Sequence, residues 1–256
     1  MNRIKSLFLK SGEKLIPFLT AGYPNLNSTV ELVCAAAEAG ADMVEIGIPF
    51  SDPLADGPII QKSSQRALEN GITLKTIFEQ VKEIRTQTDV PIALMGYYNP
   101  ILKMGHEQFL DNCVSAGVDG LILPDLPLDE AKSFCESAKL KDISPILLIA
   151  PNTTDDRIMK ISELAGDLIY AVSMLGITGN NLASKNVLVS YLNRVRKHSV
   201  TPFIVGFGIS TRNDVVWFNN YSDGAVVGSA IIKNMEGNLK PIESTKELIQ
   251  TLKGAQ

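Results

Sequence analysis

Histidine, cysteine and tryptophan are scarce in this sequence, with two, three and one among 256 residues. Two histidines, His106 and His198, both in polar helix-like surroundings, give poor support to a histidine-rich metal centre or a Ser-His-Asp triad. Cys34, Cys113 and Cys135 are odd in number, lack C-x-x-C spacing and lie in helix-like segments. That pattern fits reduced, buried thiols better than disulfides or a metal site. Long apolar runs are missing too: Ile143 to Pro151 and Leu168 to Ile177 are too short to cross a bilayer, so no membrane contact is expected. Nor is there an excess of positive charge. Lys and Arg total 24 against 28 Asp and Glu, a net charge of -4, without a Lys/Arg cluster or zinc-finger spacing, and nucleic acid is not an expected partner. The first residues, M-N-R-I-K-S-L-F-L-K, show no apolar h-region or small-residue cleavage site, so a cytoplasmic location is expected.

What is present is an apolar content of 45% and a regular alternation of short apolar runs with amphipathic stretches. The strand candidates are Leu15 to Thr20, Asp42 to Ile48, Ile92 to Tyr97, Gly120 to Leu123, Pro145 to Ile149, Leu168 to Ser173, Pro202 to Val205 and Gly224 to Val227. Between them the spacing predicts helices over 28–39, 59–70, 74–86, 106–116, 129–139, 154–165, 187–197 and 212–219, with a last one over 244–253. Eight strands each followed by helix, without hairpin signals, imply a parallel sheet. In about 250 residues they favour a single closed (β/α)8 TIM barrel, of class α/β, over an open doubly wound sheet. Ile4, Leu7 and Phe8 at helical spacing add an N-terminal helix over one end. No linker or low-complexity tract breaks the series, so one domain over residues 1–256 is expected.

The stretch M-V-E-I-G-I-P-F-S-D-P-L-A-D-G-P-I-I-Q, Met43 to Gln61, carries the chemistry. Glu45 sits inside an apolar strand, where burial disfavours the carboxylate and raises its pKa unless a cation pairs with it. Lifting a glutamate from about 4.3 to about 7 corresponds to roughly 4 kcal/mol that the surrounding fold must supply. Strand parity turns Glu45 and Gly47 into the barrel and Val44, Ile46 and Ile48 toward the helices. The loop that follows, stiffened by Pro49, Pro53 and Pro58 with Gly57, brings Ser51, Asp52 and Asp56 over the strand end. Paired lysine or arginine, and turn geometry for the two aspartates, are the plain alternatives for these carboxylates. In a barrel the phosphate site commonly follows strands seven and eight, which here end in V-G-F-G-I-S and A-V-V-G-S-A. Gly206, Gly208, Gly228 and the Ser229 hydroxyl suit a phosphate there, with Ser229 opening a short helix. Phe18, Tyr97, Tyr170 and Phe207 at strand ends either line a pocket for a flat ring or fill the core.

The segments P-F-L-T-A-G-Y-P, E-I-G-I-P-F-S-D-P-L-A-D-G-P-I-I-Q, Y-Y-N-P, P-D-L-P, G-I-T-G, G-F-G-I-S and G-S-A-I together resemble the tryptophan synthase α subunit family, in that family's order along nearly the whole chain. The resemblance implies a lyase that cleaves indole-3-glycerol phosphate to indole and glyceraldehyde 3-phosphate by a retro-aldol route. It makes Glu45 the general acid/base and Asp56 the carboxylate at the indole N–H. Phe18, Ile60, Tyr97, Leu123 and Tyr170 then fall at the indole ring. Gly179, Phe207, Gly208, Gly228 and Ser229 fall at the phosphate, and Thr178 packs on the catalytic aspartate when its loop closes. It also implies a β-subunit partner in an αββα heterotetramer, met by Pro49, Asp52, Pro53 and Asn99. The pyridoxal phosphate belongs to that partner, with no cofactor or metal in this chain. No lysine lies within an expected barrel strand, which argues against a Schiff-base aldolase. A subunit acting mainly as an activator of its partner, and a phosphosugar isomerase using Glu45 as base, are the rival readings.

Overall fold

The computed structural model describes residues 2–173, 185–206 and 208–254. Eight parallel strands, β1 (Leu15–Thr20), β2 (Val44–Gly47), β3 (Ile92–Met95), β4 (Gly120–Ile122), β5 (Ser144–Ile149), β6 (Ile169–Val172), β7 (Phe203–Gly206) and β8 (Gly224–Val227), close in sequence order into a barrel. Closure is the pairing of β1 with β8, Leu15 opposite Ala225 and Pro17 opposite Val227. The helices are α1 (Arg3–Phe8), α2 (Ser28–Glu38), α3 (Pro58–Glu69), α4 (Leu74–Arg85), α5 (Tyr98–Met104) and α6 (His106–Ala116). They continue as α7 (Leu128–Leu140), α8 (Asp155–Ala165), α9 (Lys185–His198), α10 (Arg212–Asn219), α11 (Ser229–Met235) and α12 (Pro241–Lys253).

The strands form where both faces are buried, so apolar residues on the helix side and on the barrel side both leave water: all six residues of β1 are buried. The helices are amphipathic and have chemical stops. In α4, Thr73 caps the first turn by accepting the Thr76 N–H at 3.1 Å, and Ile77, Phe78, Val81 and Ile84 face the core. Thr211 and Asp214 form a reciprocal capping box at the start of α10.

The expected N-terminal helix is α1, and it closes the bottom of the barrel. Ile4 is fully buried, with its Cδ1 where a side chain on Gly120 at the start of β4 would have to go. The Asn2 amide donates to the Asp119 and Asp142 carbonyls at 2.7 and 2.6 Å. Beside it the buried Asp119 carboxylate accepts from Arg85 at 2.6 Å, from Arg3 at 3.1 Å and from the Ile92 N–H at 2.8 Å. This network fixes one end of the barrel and leaves the other free to carry a site.

Three readings need correction. The strand expected over Ile92 to Tyr97 ends at Met95, and Tyr97 becomes the N-cap of α5, a helix that the Y-Y-N-P turn signal hid. Asp125, from the loop after β4, supplies what the local sequence does not: its carboxylate accepts the Tyr98 N–H at 2.9 Å. His106 lies among aromatic rings, within 5.2 Å of Tyr98 and 5.7 Å of Phe134, and shares a 2.6 Å hydrogen bond with the Tyr98 hydroxyl. No helix among the described residues is long and apolar enough to cross a membrane.

Candidate active site

Glu45 is the second residue of β2 and is 1% exposed. Among the described residues its Oε2 has no hydrogen-bond partner and no ion pair reaches the carboxylate. Burial, reinforced by the nearby Asp56 charge, pushes its carboxyl up to about 8. The paired-cation alternative therefore fails for the described part of the chain. A buried glutamic acid of this kind is protonated at neutrality and can give up its proton.

The parity inferred from the sequence is visible in the glycines. A Cβ on Gly47 would lie 2.4 Å from Cζ of Phe18, so Gly47 faces the barrel interior and leaves room for that ring. Phe18 is the register partner of Glu45. Across the barrel, a Cβ on Gly206 would lie 1.8 Å from the Tyr170 hydroxyl. The buried Tyr170 phenol is held well above its ordinary value by burial and then by the Glu45 and Asp56 charges. Phe18, Glu45 and Tyr170 thus face the barrel interior, and the Asp56 charge acts on both Glu45 and Tyr170.

Asp56 reaches that point on the loop between β2 and α3. Its carboxyl is pushed up to about 6 by burial, with the nearby Tyr97 hydroxyl opposing the rise. The loop is pinned at several points. The Tyr97 hydroxyl accepts the Ala55 N–H at 2.8 Å, the Tyr97 ring stacks on Phe50 with centroids 5.1 Å apart, and the Gln61 amide donates to the Asp56 carbonyl at 2.9 Å. Pro58 is the first residue of α3, where its missing N–H costs nothing. Thr20 and Ser63 share a buried 2.7 Å hydrogen bond that ties α3 to β1. Phe50, Ala55 and Gln61 lie in the segment that carries the family resemblance but had no role assigned, and Ser63, beyond that segment, carried no local signal.

The remaining candidates are placed as follows. Tyr97 and Leu123 are buried and follow β3 and β4, while Ile60 is half-buried in the first turn of α3. Gly208 follows β7 with φ +78°, a conformation suited to glycine, and Gly228 precedes α11, whose first residue is Ser229. Thr178, Gly179 and Phe207 lie outside the described residues. At the expected partner surface Asp52 and Asn99 are exposed and Pro53 half-buried, but Pro49 is buried within this chain. Among the described residues no group of three or more His, Cys, Asp or Glu is arranged to hold a metal ion.

Comparison with known proteins bears on this geometry. The family model described as tryptophan synthase alpha chain matches residues 4–255. A tryptophan synthase alpha chain from Petrotoga mobilis is 44% identical over 257 residues, covering 99% of each chain. One from Flavobacterium psychrophilum is 43% identical over 240 residues, covering 93% of this chain and 95% of its own. A solved tryptophan synthase a2b2 complex from Pyrococcus furiosus contains a chain that superposes with a TM-score of 0.88 at 41% identity, over 94% of this chain and 98% of that one. The alpha subunit from Legionella pneumophila gives 0.91 at 32% identity, over 100% and 98%. Matched along nearly its whole length, the chain belongs to the tryptophan synthase alpha chain family, lyases that catalyse the α reaction, the cleavage of indole-3-glycerol phosphate in tryptophan biosynthesis.

Proposed function

We propose that this chain performs the α reaction with Glu45 and Asp56 as its working carboxylates, at the strand ends where Phe18, Tyr97, Leu123, Tyr170 and Ile60 border the indole ring. The supporting observation is the buried Glu45 carboxyl with an unpartnered oxygen and a pKa near 8. Starting protonated, Glu45 gives its proton to C3 of the indole ring, and the ring becomes a cation with its charge centred on the nitrogen. Asp56, ionised above about 6, offsets that charge. The Glu45 carboxylate so formed takes the proton of the glycerol hydroxyl while the carbon–carbon bond breaks, its electrons returning to the ring. Indole and glyceraldehyde 3-phosphate result, and Glu45 ends protonated as it began. Positioned proton transfer of this kind supplies about 10² to 10⁴ in rate.

The phosphate is assigned to Gly208, Gly228 and Ser229, with Gly179 and Phe207 from the family resemblance, and Thr178 to packing on Asp56 at closure. Phosphate binding remote from the reacting bond would supply positioning. A β subunit carrying pyridoxal phosphate is the proposed partner, in an αββα assembly. Exposed Leu54 and Leu102, at 79% and 54%, stand on the neighbouring β2 and β3 sides of the site next to Asp52 and Asn99 and support docking there. Pro49, being buried, would act on a partner only through the loop it anchors. The compartment is proposed to be the cytoplasm.

The test is glyceraldehyde 3-phosphate release from indole-3-glycerol phosphate by the purified chain, alone and with a β subunit. Release that rises several-fold with β supports both lyase and partner. If a competent β subunit is present and neither sample releases product, the lyase reading fails and the activator reading replaces it.

A further inference from the structure

The turn that delivers Asp56 is closed by a side chain from the first turn of α3. The Asp56 N–H donates to the Pro53 carbonyl at 3.3 Å, which folds Pro53-Leu54-Ala55-Asp56 back on itself. The Gln61 side-chain amide donates to that same Pro53 carbonyl at 3.3 Å and to the Asp56 carbonyl at 2.9 Å. One nitrogen can serve both, because a primary amide carries two hydrogens. Asp56 is thereby held at its N–H and at its carbonyl. The helix would not supply this by itself: the Gln61 backbone N–H bonds the Gly57 carbonyl at 3.0 Å, so the Asp56 carbonyl lies outside the ladder of α3. Gln61 in turn stands on a fixed base. The Ser63 hydroxyl donates to the Ile60 carbonyl at 2.8 Å and shares the buried 2.7 Å bond with Thr20 at the end of β1.

We infer that Gln61 is a positioning residue for the α reaction, its amide clamping the Pro53 and Asp56 carbonyls so that the turn presents the Asp56 carboxylate to the substrate. The inference rests on the assignment of Asp56 as a working carboxylate. The clamp asks for donors: a glutamate of the same size would set lone pairs against both carbonyls. The turn has little packing of its own, since Leu54 at its tip is 79% exposed and Pro53 and Ala55 are half-buried. Its other hold, the Tyr97 hydroxyl, accepts the Ala55 N–H and leaves the Asp56 carbonyl to Gln61. Position therefore passes from the barrel, through Thr20 and Ser63, to α3, and from Gln61 to a residue on a loop.

The experiment is Gln61→Met in the full chain, which keeps side-chain length and helix propensity and removes both donors. The backbone order parameter of Asp56, measured by 15N NMR relaxation, should fall from the rigid range near about 0.85 to below about 0.6, with α3 beyond Ser63 unchanged. Turnover should fall roughly tenfold or more with KM within about twofold, because a misplacement of about 1 Å costs up to about 10² in rate. In an Asp56→Asn background the same substitution should cost less than about twofold, since Gln61 acts through that carboxylate. Gln61→Glu, equal in size and favoured in the first turn of a helix, should lose at least as much turnover as Gln61→Met while folding as the wild type does. An Asp56 order parameter unchanged in Gln61→Met, the same fold-loss in both backgrounds, or wild-type turnover in Gln61→Glu overturns the inference. If the wild-type chain releases no indole, the assignment of Asp56 fails, and the order parameter still decides whether Gln61 holds the turn.

Discussion

Phe18 and Glu45 are register partners across β1 and β2, so the ring and the buried carboxyl occupy one level of the barrel interior. Gly47, two residues past Glu45, leaves the space that the Phe18 ring fills. A methyl group there has nowhere to go, since its nearest neighbour is ring carbon at 2.4 Å. Gly47→Ala should displace Phe18, destabilise the chain by about 1 to 3 kcal/mol and lower activity. Adding Phe18→Leu should recover part of the stability. Urea unfolding of the single and double variants checks this, and strictly additive losses would contradict it.

Glu45 carries a stability signature that needs no substrate. Its folded pKa, about 8, lies above the ordinary 4.5, so between these values the folded state holds more protons than the unfolded one. Stability contributed by the protonated form is complete below about 4.5 and is lost as pH rises toward 8. Glu45→Gln removes that loss. The variant should gain on the wild type progressively over this range, by up to roughly 5 kcal/mol at the top of it, since one unit is about 1.36 kcal/mol. Urea unfolding at pH 5 and pH 8.5 reads the difference, and a gap independent of pH would show that Glu45 is not buried as a neutral acid.

The proposed roles of the two carboxylates also fix a pH profile for catalysis. With Asp56 acting ionised and Glu45 acting protonated, as proposed, kcat/KM should rise through about 6 and fall through about 8. Asp56→Asn should lose most of the rate and abolish the acid limb in what remains. A profile flat from pH 5 to pH 9 would contradict the pairing of roles.

At the opposite end of the barrel, Asp119 holds Arg85 and Arg3 beneath β3 and β4. Asp119→Ala leaves a largely buried Arg85 without its counter-charge and should cost about 3 kcal/mol or more. Because no hydrogen bond or ion pair of this network reaches Glu45 or Asp56 among the described residues, kcat at a temperature where the variant stays folded should be near wild type. Chemical denaturation and turnover measured side by side test that separation.

Much of this was legible in the chain because barrel strands are buried on both faces and announce themselves as continuous apolar runs. Leu15–Thr20 and Gly224–Val227 were bounded to the residue. Glu45 stood out because it is the one carboxylate inside such a run, and Asp56 because the proline-rich loop around it cannot be helix. What escaped depends on groups distant in sequence. Helix α5 begins under a carboxylate, Asp125, supplied by the loop after the next strand, so Tyr98-Asn99-Pro100 reads locally as a turn. The bond between Tyr97 and Ala55 spans 42 residues, and no periodicity encodes it. His106, expected among polar groups, gained aromatic neighbours from α5 and α7.

The central claim is that Glu45 is the proton donor and acceptor of the α reaction, and Glu45→Gln tests it most directly. Turnover of indole-3-glycerol phosphate and equilibrium binding of the same substrate would be measured on one preparation. The account predicts loss of turnover by at least about 10² with binding retained within a few-fold. A variant turning over within a few-fold of the wild type would remove Glu45 from the mechanism.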